Sequence, residues 1–390
     1  MIENKIPFHK PYLNPNVNIT LKDSIESGWL TTGPKVKQFE NQLKEILNSN
    51  YVVCVNSCTA ALHLSLLALD LKVGSKFIAP TYTFVSTVEV GQYIGLEPVL
   101  VDSDNSYNLD LNKVEQILKK DTHNKIKVII PVHFAGLAVD MKSLIFLAEK
   151  YNLYIIEDAA HALEGYSNIG KIGNTNFSTA FSFYANKNIT TGGEGGAIST
   201  NDKKMSQKIR KLSLHGMNKD GWKRFSFSGK WAYDISELGC KYNMTDISAS
   251  FGLDQLNYIN DWHKKRLKIV KLYNRSFKNI DGIILPQNIE NKKHSRHLFI
   301  IRIIPEKWKI SRNELIVMLN QKGIGTSVHY IPVHMHSYYV NNFGFKNENF
   351  PNAYIFSQTV LTLPLYPLLK IREIEYIINT FNELWISNKK

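Results

Sequence analysis

The 390-residue sequence has few cysteines and no long apolar run. Its three cysteines, Cys54, Cys58 and Cys240, are odd in number and lack the spacing of metal ligands, so neither a disulfide framework nor a zinc site is predicted. No apolar stretch approaches the roughly 20 residues of a membrane helix, and the first residues lack an apolar signal segment. We therefore expect a cytoplasmic protein without a membrane segment.

Arginine is scarce as well, although the net charge is +13 from 47 basic and 34 acidic residues. The first arginine is Arg210, and the excess positive charge comes from lysines scattered singly and in pairs. Proteins that read bases or bind phosphates bidentately use arginine, and no basic stripe interleaved with aromatic residues is present. The charge pattern therefore argues against a nucleic-acid partner. The content of 44% hydrophobic and 11% aromatic residues indicates a folded chain with a sizeable core.

Short β-branched runs alternate with helical periods over the first two hundred residues. This βαβ series predicts an α/β fold with a mostly parallel sheet that is covered by helices on both faces. The length exceeds the size at which one core stops growing, so we predict a large domain over residues 1–260 and a smaller α+β domain over 261–390. The predicted strands are 51–55, 76–79, 98–102, 126–133 and 153–158, followed later by a helical pattern over 245–280 and a strand over 325–330.

Ligands of such sheets bind at the carboxyl ends of the strands, so the residues that follow each strand are candidates for chemistry. Those residues are small and polar: they comprise 56–59, 80–84, 133–136 and 157–161. The segment 56–59 opens a helix, and free N–H groups at a helix start suit a phosphate. Ordinary N-capping by Asn56 or Ser57 explains the same residues equally well.

A single lysine, Lys187, follows an apolar strand end and precedes a glycine-rich turn at 192–196. An amine in a desolvated pocket with a lowered pKa is what a Schiff-base enzyme needs. A surface lysine before a turn is the alternative, and this stretch by itself favours neither interpretation. A phosphate-binding P-loop is excluded, because no Gly-Lys-Ser/Thr follows the glycines.

Asp158 ends an apolar strand, which places its carboxylate at the ligand-binding edge of the sheet. There it could keep the pyridine nitrogen of pyridoxal phosphate protonated and make the ring an electron sink. A strand-end aspartate is more often a helix cap or a metal ligand. Lys187 and Asp158 on one α/β frame nevertheless favour pyridoxal phosphate more strongly than either residue does separately.

These residues, in this order, lie within motifs that span nearly the whole chain. Together the motifs resemble the DegT/StrS family of nucleotide-sugar aminotransferases, and especially the members that aminate a UDP-linked 4-keto pentose. The family has the type I, aspartate aminotransferase-like fold of pyridoxal phosphate enzymes. The matching segments are 27–35, 56–62, 131–136, 157–162, 181–196, 215–217 with 220–224, 239–246, 297–302 and 323–330.

The resemblance implies a role for each matching residue at the cofactor. Lys187 would bind pyridoxal 5′-phosphate covalently, Asp158 would hold the pyridine nitrogen, His161 would lie near the ring hydroxyl, and Phe84 would stack on the ring. The cofactor phosphate would be held by Cys58, Thr59 and Ser182, with Lys241 reaching in from the neighbouring subunit of a homodimer.

The resemblance also implies a two-stage transfer of an amino group from glutamate to a nucleotide-linked keto sugar. The donor carboxylate needs a cationic partner, and since no arginine precedes Arg210, we expect Arg224 to serve. Glu194, His215 and His329 are further candidates for substrate contacts. His334 and His336 could suggest a metal, but no further ligands accompany them, and no metal site is predicted.

Three other functions are compatible with such a fold. A sugar dehydratase of this family carries histidine in place of the lysine, and Lys187 argues against it. A non-enzymatic regulator would be expected to lose Lys187 or Asp158, and both are present. The third alternative keeps the aminotransferase chemistry but uses a 3-keto sugar, a keto-hexose or a small phosphorylated ketone as the acceptor.

Overall fold

A seven-stranded sheet forms the centre of the protein in the computed structural model, which describes residues 5–14, 16–217, 233–287 and 293–390. The strand order is β1-β9-β8-β5-β4-β2-β3, and β9 is the one strand of this sheet that runs antiparallel to its neighbours. A smaller sheet has the order β10-β11-β12, and β6 pairs with β7. The strands are β1 (Tyr51–Val55), β2 (Lys76–Pro80), β3 (Glu97–Val101), β4 (Ile126–Ile129), β5 (Tyr154–Asp158), β6 (Tyr166–Ser167), β7 (Gly170–Lys171), β8 (Ser178–Ser182), β9 (Gly196–Thr200), β10 (Ile283–Ile284), β11 (Phe299–Ile303) and β12 (Val360–Leu363).

Many of the helices begin at a side chain that caps the first backbone N–H groups. Ser57, Asp110, Asp140 and Asp202 each accept such a hydrogen bond, which satisfies donors that have no partner within the helix. The helices are α1 (Val17–Glu26), α2 (Pro34–Leu47), α3 (Cys58–Leu67), α4 (Ser86–Gln92), α5 (Leu111–Lys120), α6 (Met141–Tyr151), α7 (Lys203–Leu212), α8 (Asp246–Leu256), α9 (Ile259–Phe277), α10 (Arg312–Gln321), α11 (Ser337–Phe343), α12 (Pro351–Thr359) and α13 (Ile371–Asn388). Among the residues that the structure describes, none of these helices combines the length and apolar character needed to cross a membrane.

The predicted α/β class with a mostly parallel sheet is confirmed, whereas the prediction of a strand over 325–330 is wrong. The helical pattern over 245–280 is two helices, because Asn257 and Tyr258 form a turn between α8 and α9. The stretch 325–330 is not a strand: it makes one isolated bridge, from Ser327 to Thr362. Gly325 is bonded instead to Ile6 of the N-terminal segment, which prevents a continuous ladder with β12.

Helix α9 connects the cores of the two sheets. Ile259 and Trp262, near its start, pack in the apolar cluster beside β1 and β9, while Ile269 and Val270 pack in the cluster that covers the small sheet. The proposed domain division at residue 260 falls within the first turn of this helix. The division therefore stays a prediction, with α9 as the element that joins the two parts.

Asp246 joins two of the sequence motifs that lie far apart along the chain. Its carboxylate accepts hydrogen bonds from the backbone N–H groups of Gly33 (2.8 Å), Lys35 (3.0 Å) and Val36 (3.0 Å) at the start of α2. Gly33 is required there, because a Cβ atom would lie 2.1 Å from Nε1 of Trp29 and 2.8 Å from Oδ2 of Asp246. The segment 27–35 is thereby docked against α8.

Candidate active site

A cavity of about 420 Å³ lies at the carboxyl edge of the large sheet. The segments that follow β1 and β2, the end of β5 and the loop after β8 meet there, as expected for ligand sites in parallel α/β sheets. The lining residues are Ser57, Cys58, Thr59, Thr83, Phe84, Ser86, Val132, Asp158, Ala160, His161, Ser182, Tyr184, Asn186, Lys187, Glu194, His329 and Tyr330.

Lys187 lies on a tight loop between β8 and β9. Its backbone N–H donates to the carbonyl of Tyr184 (2.9 Å), and the loop closes where Phe183 N–H donates to the carbonyl of Gly195 (2.9 Å). Gly193 and Gly195 have φ angles of 118° and 155°, a conformation that favours glycine. Burial lowers the pKa of Lys187 to about 8, against the opposing effect of Cys58 and Asp158. An amine with this pKa can serve as both nucleophile and base near neutral pH.

Asp158 is 4% exposed and points its carboxylate into a set of hydrogen-bond donors. Its Oδ2 atom accepts from the hydroxyl of Thr87 (2.7 Å), and Oδ1 accepts from the backbone N–H of Ala160 (3.1 Å). Burial raises the pKa of Asp158, while these two hydrogen bonds and the positive charge of Lys187 act in the opposite direction. Thr87 is itself held by the hydroxyl of Thr83 (2.8 Å), so the carboxylate has a fixed orientation.

His161 uses both ring nitrogens. Nδ1 accepts from the backbone N–H of Ala135 (3.2 Å), and Nε2 lies 3.0 Å from the hydroxyl of Tyr330. Burial, together with Lys187 and His329, lowers the pKa of His161 well below its usual value, so the ring is neutral. A neutral ring whose Nδ1 accepts must carry its hydrogen on Nε2. The Nε2 hydrogen is the one that could contact the ring hydroxyl of the cofactor, as predicted for His161. In this structure it points to the hydroxyl of Tyr330.

The N-terminus of α3 forms one end of the cavity. The hydroxyl of Ser57 accepts from the backbone N–H of Ala60 (3.0 Å), while the first N–H groups of the helix have no partner within it. Cys58 and Thr59 lie in this first turn, and Ser182 from β8 lines the same cavity. Helix N-termini of this kind bind anions. The N-capping role considered for Ser57 is therefore present together with the features of an anion site.

Phe84, Glu194 and His329 complete the predicted residues that line the cavity. The ring of Phe84 is 57% exposed, with its centroid 6.1 Å from that of Tyr330. Glu194 is exposed on the glycine-rich loop. His329 is buried, and its Nδ1 atom lies 2.9 Å from the hydroxyl of Thr362. Burial and the nearby Lys187 lower the pKa of His329 to about 3, so it is neutral at physiological pH.

Two predicted residues, Lys241 and His215, do not line this cavity in the described part of the chain, and a third, Arg224, is not among the described residues. Lys241 is exposed and donates to Oδ1 of Asn243 (2.7 Å). His215 is exposed, with a φ angle of 56°, and does not line the cavity. Arg224 lies outside the described residues. The expected role of Lys241 in a neighbouring subunit, and those of His215 and Arg224 at the substrate, stay predictions.

The sequence does not single out Thr87 and Tyr330 as site residues. Thr87 lies in the first turn of α4, just after the segment 80–84, and Tyr330 ends the segment 323–330, but neither side chain has a distinctive sequence signal. His334, considered above as a metal ligand, is buried with Nδ1 2.8 Å from the hydroxyl of Thr81. Within the described ranges, no group of three or more histidine, cysteine, aspartate or glutamate side chains could hold a metal ion.

The donor set of the cavity fits pyridoxal phosphate. A lysine with a lowered pKa can take the aldehyde, and a buried carboxylate can face a protonated ring nitrogen. The helix start at Cys58 can face the phosphate, and the exposed ring of Phe84 offers a flat apolar surface. The fold and the site thus define a pyridoxal phosphate enzyme with the type I fold.

The comparisons with known proteins give the family. Residues 12–382 match the sequence model of the DegT/DnrJ/EryC1/StrS aminotransferase family. SpsC of Bacillus subtilis, a spore coat polysaccharide biosynthesis protein, is 39% identical over 97% of both chains. The chain therefore belongs to the DegT/DnrJ/EryC1/StrS aminotransferase family.

Solved structures agree with this assignment. The PLP-form of a protein of Streptococcus pneumoniae assigned as a sugar aminotransferase is 34% identical, with a TM-score of 0.89 over 98% of this chain and 99% of that one. PseC of Helicobacter pylori, an aminotransferase involved in pseudoaminic acid biosynthesis, is 26% identical, with a TM-score of 0.88 over 98% of this chain and all of that one. The predicted family, fold, enzyme class and cofactor are confirmed.

Proposed function

We propose that this protein transfers an amino group from glutamate to a nucleotide-linked keto sugar, with a UDP-linked 4-keto sugar as the preferred acceptor. The observation that carries the proposal is the joint presence of Lys187 and Asp158 on one cavity. The names of two relatives, which refer to spore coat polysaccharide and pseudoaminic acid biosynthesis, support a role in making a surface polysaccharide or glycan. The preference for a UDP-linked 4-keto sugar is supported by the sequence resemblance described above.

Lys187 and Asp158 divide the proposed proton chemistry between them. Pyridoxal phosphate, when bound, supplies an electrophilic carbon and a ring that stabilises negative charge. Asp158 would keep the ring nitrogen protonated through its fixed carboxylate. Nζ of Lys187 would take the proton from the α-carbon of the amino donor and later deliver a proton to the sugar carbon that receives nitrogen. With a pKa of about 8, about a tenth of this amine is uncharged at pH 7.

The cofactor phosphate would be held by the start of α3, at Cys58 and Thr59, and by Ser182. We further propose that Lys241 of a second subunit completes this end of the site, which makes the active species a homodimer. The exposed position of Lys241, outside the cavity of its own subunit, is compatible with that arrangement. A cytoplasmic location is likewise a prediction from sequence.

The proposed contacts with the substrates are assigned from the charges of the side chains and of the substrate groups. The donor carboxylate would pair with Arg224, and replacement of Arg224 by alanine is expected to raise the KM for the amino donor; an unchanged KM rules out that role. His329 is neutral and could donate a hydrogen bond to the sugar or diphosphate without contributing charge. His215 and Glu194 are proposed as further substrate contacts, of which Glu194 lines the cavity.

The central test is covalent trapping of the cofactor. Purified protein is expected to be yellow, and borohydride is expected to fix a pyridoxyl group on the peptide that contains Lys187. Lys187→Ala should abolish both trapping and amino transfer, whereas Lys208→Ala, which removes a lysine paired with Asp70 on the surface, should leave them unchanged. A protein that binds no cofactor, or traps it on another lysine, contradicts the proposal.

The acceptor is tested with glutamate as donor and a panel of keto sugars. UDP-, dTDP- and GDP-linked 4-keto sugars are compared with a 3-keto sugar and a small phosphorylated ketone. We expect the highest kcat/KM with the UDP-linked 4-keto sugar. Dehydration without amino transfer would instead indicate the dehydratase chemistry of the family, which the presence of Lys187 disfavours.

A further inference from the structure

The residue that follows Lys187 is held by a buried polar cluster behind the active site. Asn188 and Arg266 border a second cavity of about 20 Å³ that Lys187 also lines. Neither Asn188 nor Arg266 lines the cavity of about 420 Å³. Adjacent residues of one loop therefore have different surroundings: Lys187 lines the active-site cavity, whereas the half-buried Asn188 does not line it and is hydrogen-bonded to groups behind it.

The side-chain amide of Asn188 has partners for both its donor and its acceptor groups. Nδ2 donates to a carboxylate oxygen of Glu164 and to the backbone carbonyl of Ser295 (3.2 Å). Oδ1 accepts from Nδ1 of His297 (3.1 Å). Since an amide nitrogen has two hydrogens to donate, these contacts use its donor capacity fully and fix the side-chain rotamer. They join the loop to segments that are far away along the chain.

Glu164 can hold Asn188 because a buried cation neutralises it. The side chains of Glu164 and Arg266 are 4% and 3% exposed, and a guanidinium nitrogen of Arg266 donates to the second carboxylate oxygen of Glu164. Burial raises the pKa of Glu164 and lowers that of Arg266, and each charge opposes the effect of burial on the other. Lys293 also lowers the pKa of Glu164, whereas the charge that opposes the burial of Arg266 comes from Glu164, so removal of Glu164 leaves the guanidinium buried without compensation.

The loop needs such an anchor because its other side consists largely of glycine. Gly192, Gly193 and Gly195 follow Lys187, and all have positive φ angles. Glycine restricts the backbone less than any other residue, so tertiary contacts must define the loop. On the side of Asn188, those contacts come from Glu164, Ser295 and His297.

We propose that Glu164, paired with Arg266, positions Lys187 for covalent attachment of the cofactor by fixing Asn188, and contributes nothing to noncovalent cofactor binding. The inference rests on the proposed role of Lys187. Glu164 is a positioning residue, because it acts through Asn188 and does not line the active-site cavity. A displacement of about 1 Å at a reacting group can lower a rate about 100-fold, which gives a side-chain anchor a measurable effect.

The first test measures the rate of covalent attachment to cofactor-stripped protein. Pyridoxal phosphate is added, samples are reduced with borohydride, and labelled Lys187 is quantified by peptide mass spectrometry. Asn188→Ala and Glu164→Gln are expected to slow attachment about 10- to 100-fold. The matched control is Glu40→Gln, since Glu40 is another buried carboxylate that binds an arginine, Arg210, away from the cavity. The control should stay within about twofold of the wild type.

The second test separates positioning of the lysine from shaping of the cavity. In a Lys187→Ala background, the Kd for pyridoxal phosphate is measured with and without Asn188→Ala. The two values should agree within about threefold, because Asn188 does not line the active-site cavity. A larger loss of affinity in the double variant overturns the inference, since it means that the cluster shapes the cavity as a whole.

A double-mutant cycle tests whether Glu164 acts through Asn188. If it does, Glu164→Gln slows attachment no further in protein that already carries Asn188→Ala. If the two substitutions slow attachment by factors that multiply, they act independently and the proposal is contradicted. The proposal is also contradicted if both single variants attach the cofactor as fast as Glu40→Gln. If Glu164→Gln fails to fold, the first two tests with Asn188→Ala still test whether Asn188 positions Lys187, because Asn188→Ala leaves the ion pair between Glu164 and Arg266 intact. Attachment of the cofactor to a different lysine in wild-type protein would instead refute the proposed function.

Discussion

The hydroxyl of Tyr330 lies 3.0 Å from Nε2 of His161, and the tautomer of His161 determines which of the two donates the hydrogen. Nδ1 of His161 accepts from the backbone N–H of Ala135, so the neutral ring donates its Nε2 hydrogen to Tyr330. The hydroxyl of Tyr330 is then the acceptor, and its own hydrogen is available to the cavity that Tyr330 lines.

Tyr330→Phe is therefore expected to remove a donor from the cavity. We expect kcat/KM for the sugar acceptor to fall about 10-fold, which corresponds to the loss of one hydrogen bond of about 1.4 kcal/mol. Tyr376→Phe is the control, since its hydroxyl donates to the carbonyl of Lys322 at an exposed position. Equal kinetics for the two variants would show that the Tyr330 hydroxyl does not bind substrate.

Thr87→Val is expected to change the pH profile of the enzyme. The hydroxyl of Thr87 lowers the pKa of Asp158, so its removal lets burial raise that pKa further. A protonated Asp158 cannot hold a proton on the ring nitrogen of the cofactor, and the acid limb of kcat/KM should move to higher pH. Thr200→Val, at a buried threonine bonded to the carbonyl of Asn176, should leave the limb in place. A limb that moves to lower pH contradicts the role given to Thr87.

Lys187 should react with amine reagents at lower pH than ordinary lysines. In cofactor-free protein, acetylation of Lys187 followed by mass spectrometry is expected to give a midpoint near pH 8, compared with about 10.4 for an unperturbed lysine. Asp158→Asn removes a negative charge that raises the pKa of Lys187, so the midpoint should move below 8. Asp261→Asn, on the surface, should not move it. A midpoint near 10 would show that burial does not shift the amine.

Asp246→Ala should lower stability more than the removal of an ordinary helix cap. Its carboxylate accepts hydrogen bonds from three backbone N–H groups at the start of α2, and the bonds from Gly33 and Val36 are buried. We expect a loss of about 2–4 kcal/mol in the free energy of unfolding, measured by urea denaturation. Asp110→Ala, which removes a partly exposed cap of α5, is expected to cost about 1 kcal/mol. Equal losses would contradict the docking role of Asp246.

Much of the fold follows from local patterns in the sequence. Apolar strands such as β1 and β5 and the capped helix α3 are encoded within a few residues, so periodicity predicts them. Local patterns do not predict the break between α8 and α9, because Asn257 and Tyr258 carry no strong helix-breaking signal. The stretch 325–330 resembles a strand for a different reason: Thr326, Val328 and Tyr330 are strand-forming residues at alternate positions, but the backbone N–H of Gly325 donates to Ile6 of the N-terminal segment.

The candidate site was predictable where chemistry requires a particular residue type. Asp158 ends β5 and Lys187 follows β8 on a loop, each carries a functional group suited to its task, and both line the cavity. Thr87 and Asn188 could not be found in this way, because hydroxyls and amides occur throughout the chain and act here through partners far away in sequence. Asn188 meets Glu164 and Ser295, which are 24 and 107 residues distant.

The sequence by itself determined the class of fold, the cofactor-binding lysine and aspartate as candidates, and the family, since each depends on residue type and spacing along the chain. Tertiary structure decided which groups surround them. The neutral state of His161, the lowered pKa of Lys187 and the anchoring of Asn188 by Glu164 and Arg266 all arise from burial and from contacts between distant segments. Burial and long-range contact exist only after the chain has folded, which is the physical reason that a linear pattern cannot specify them.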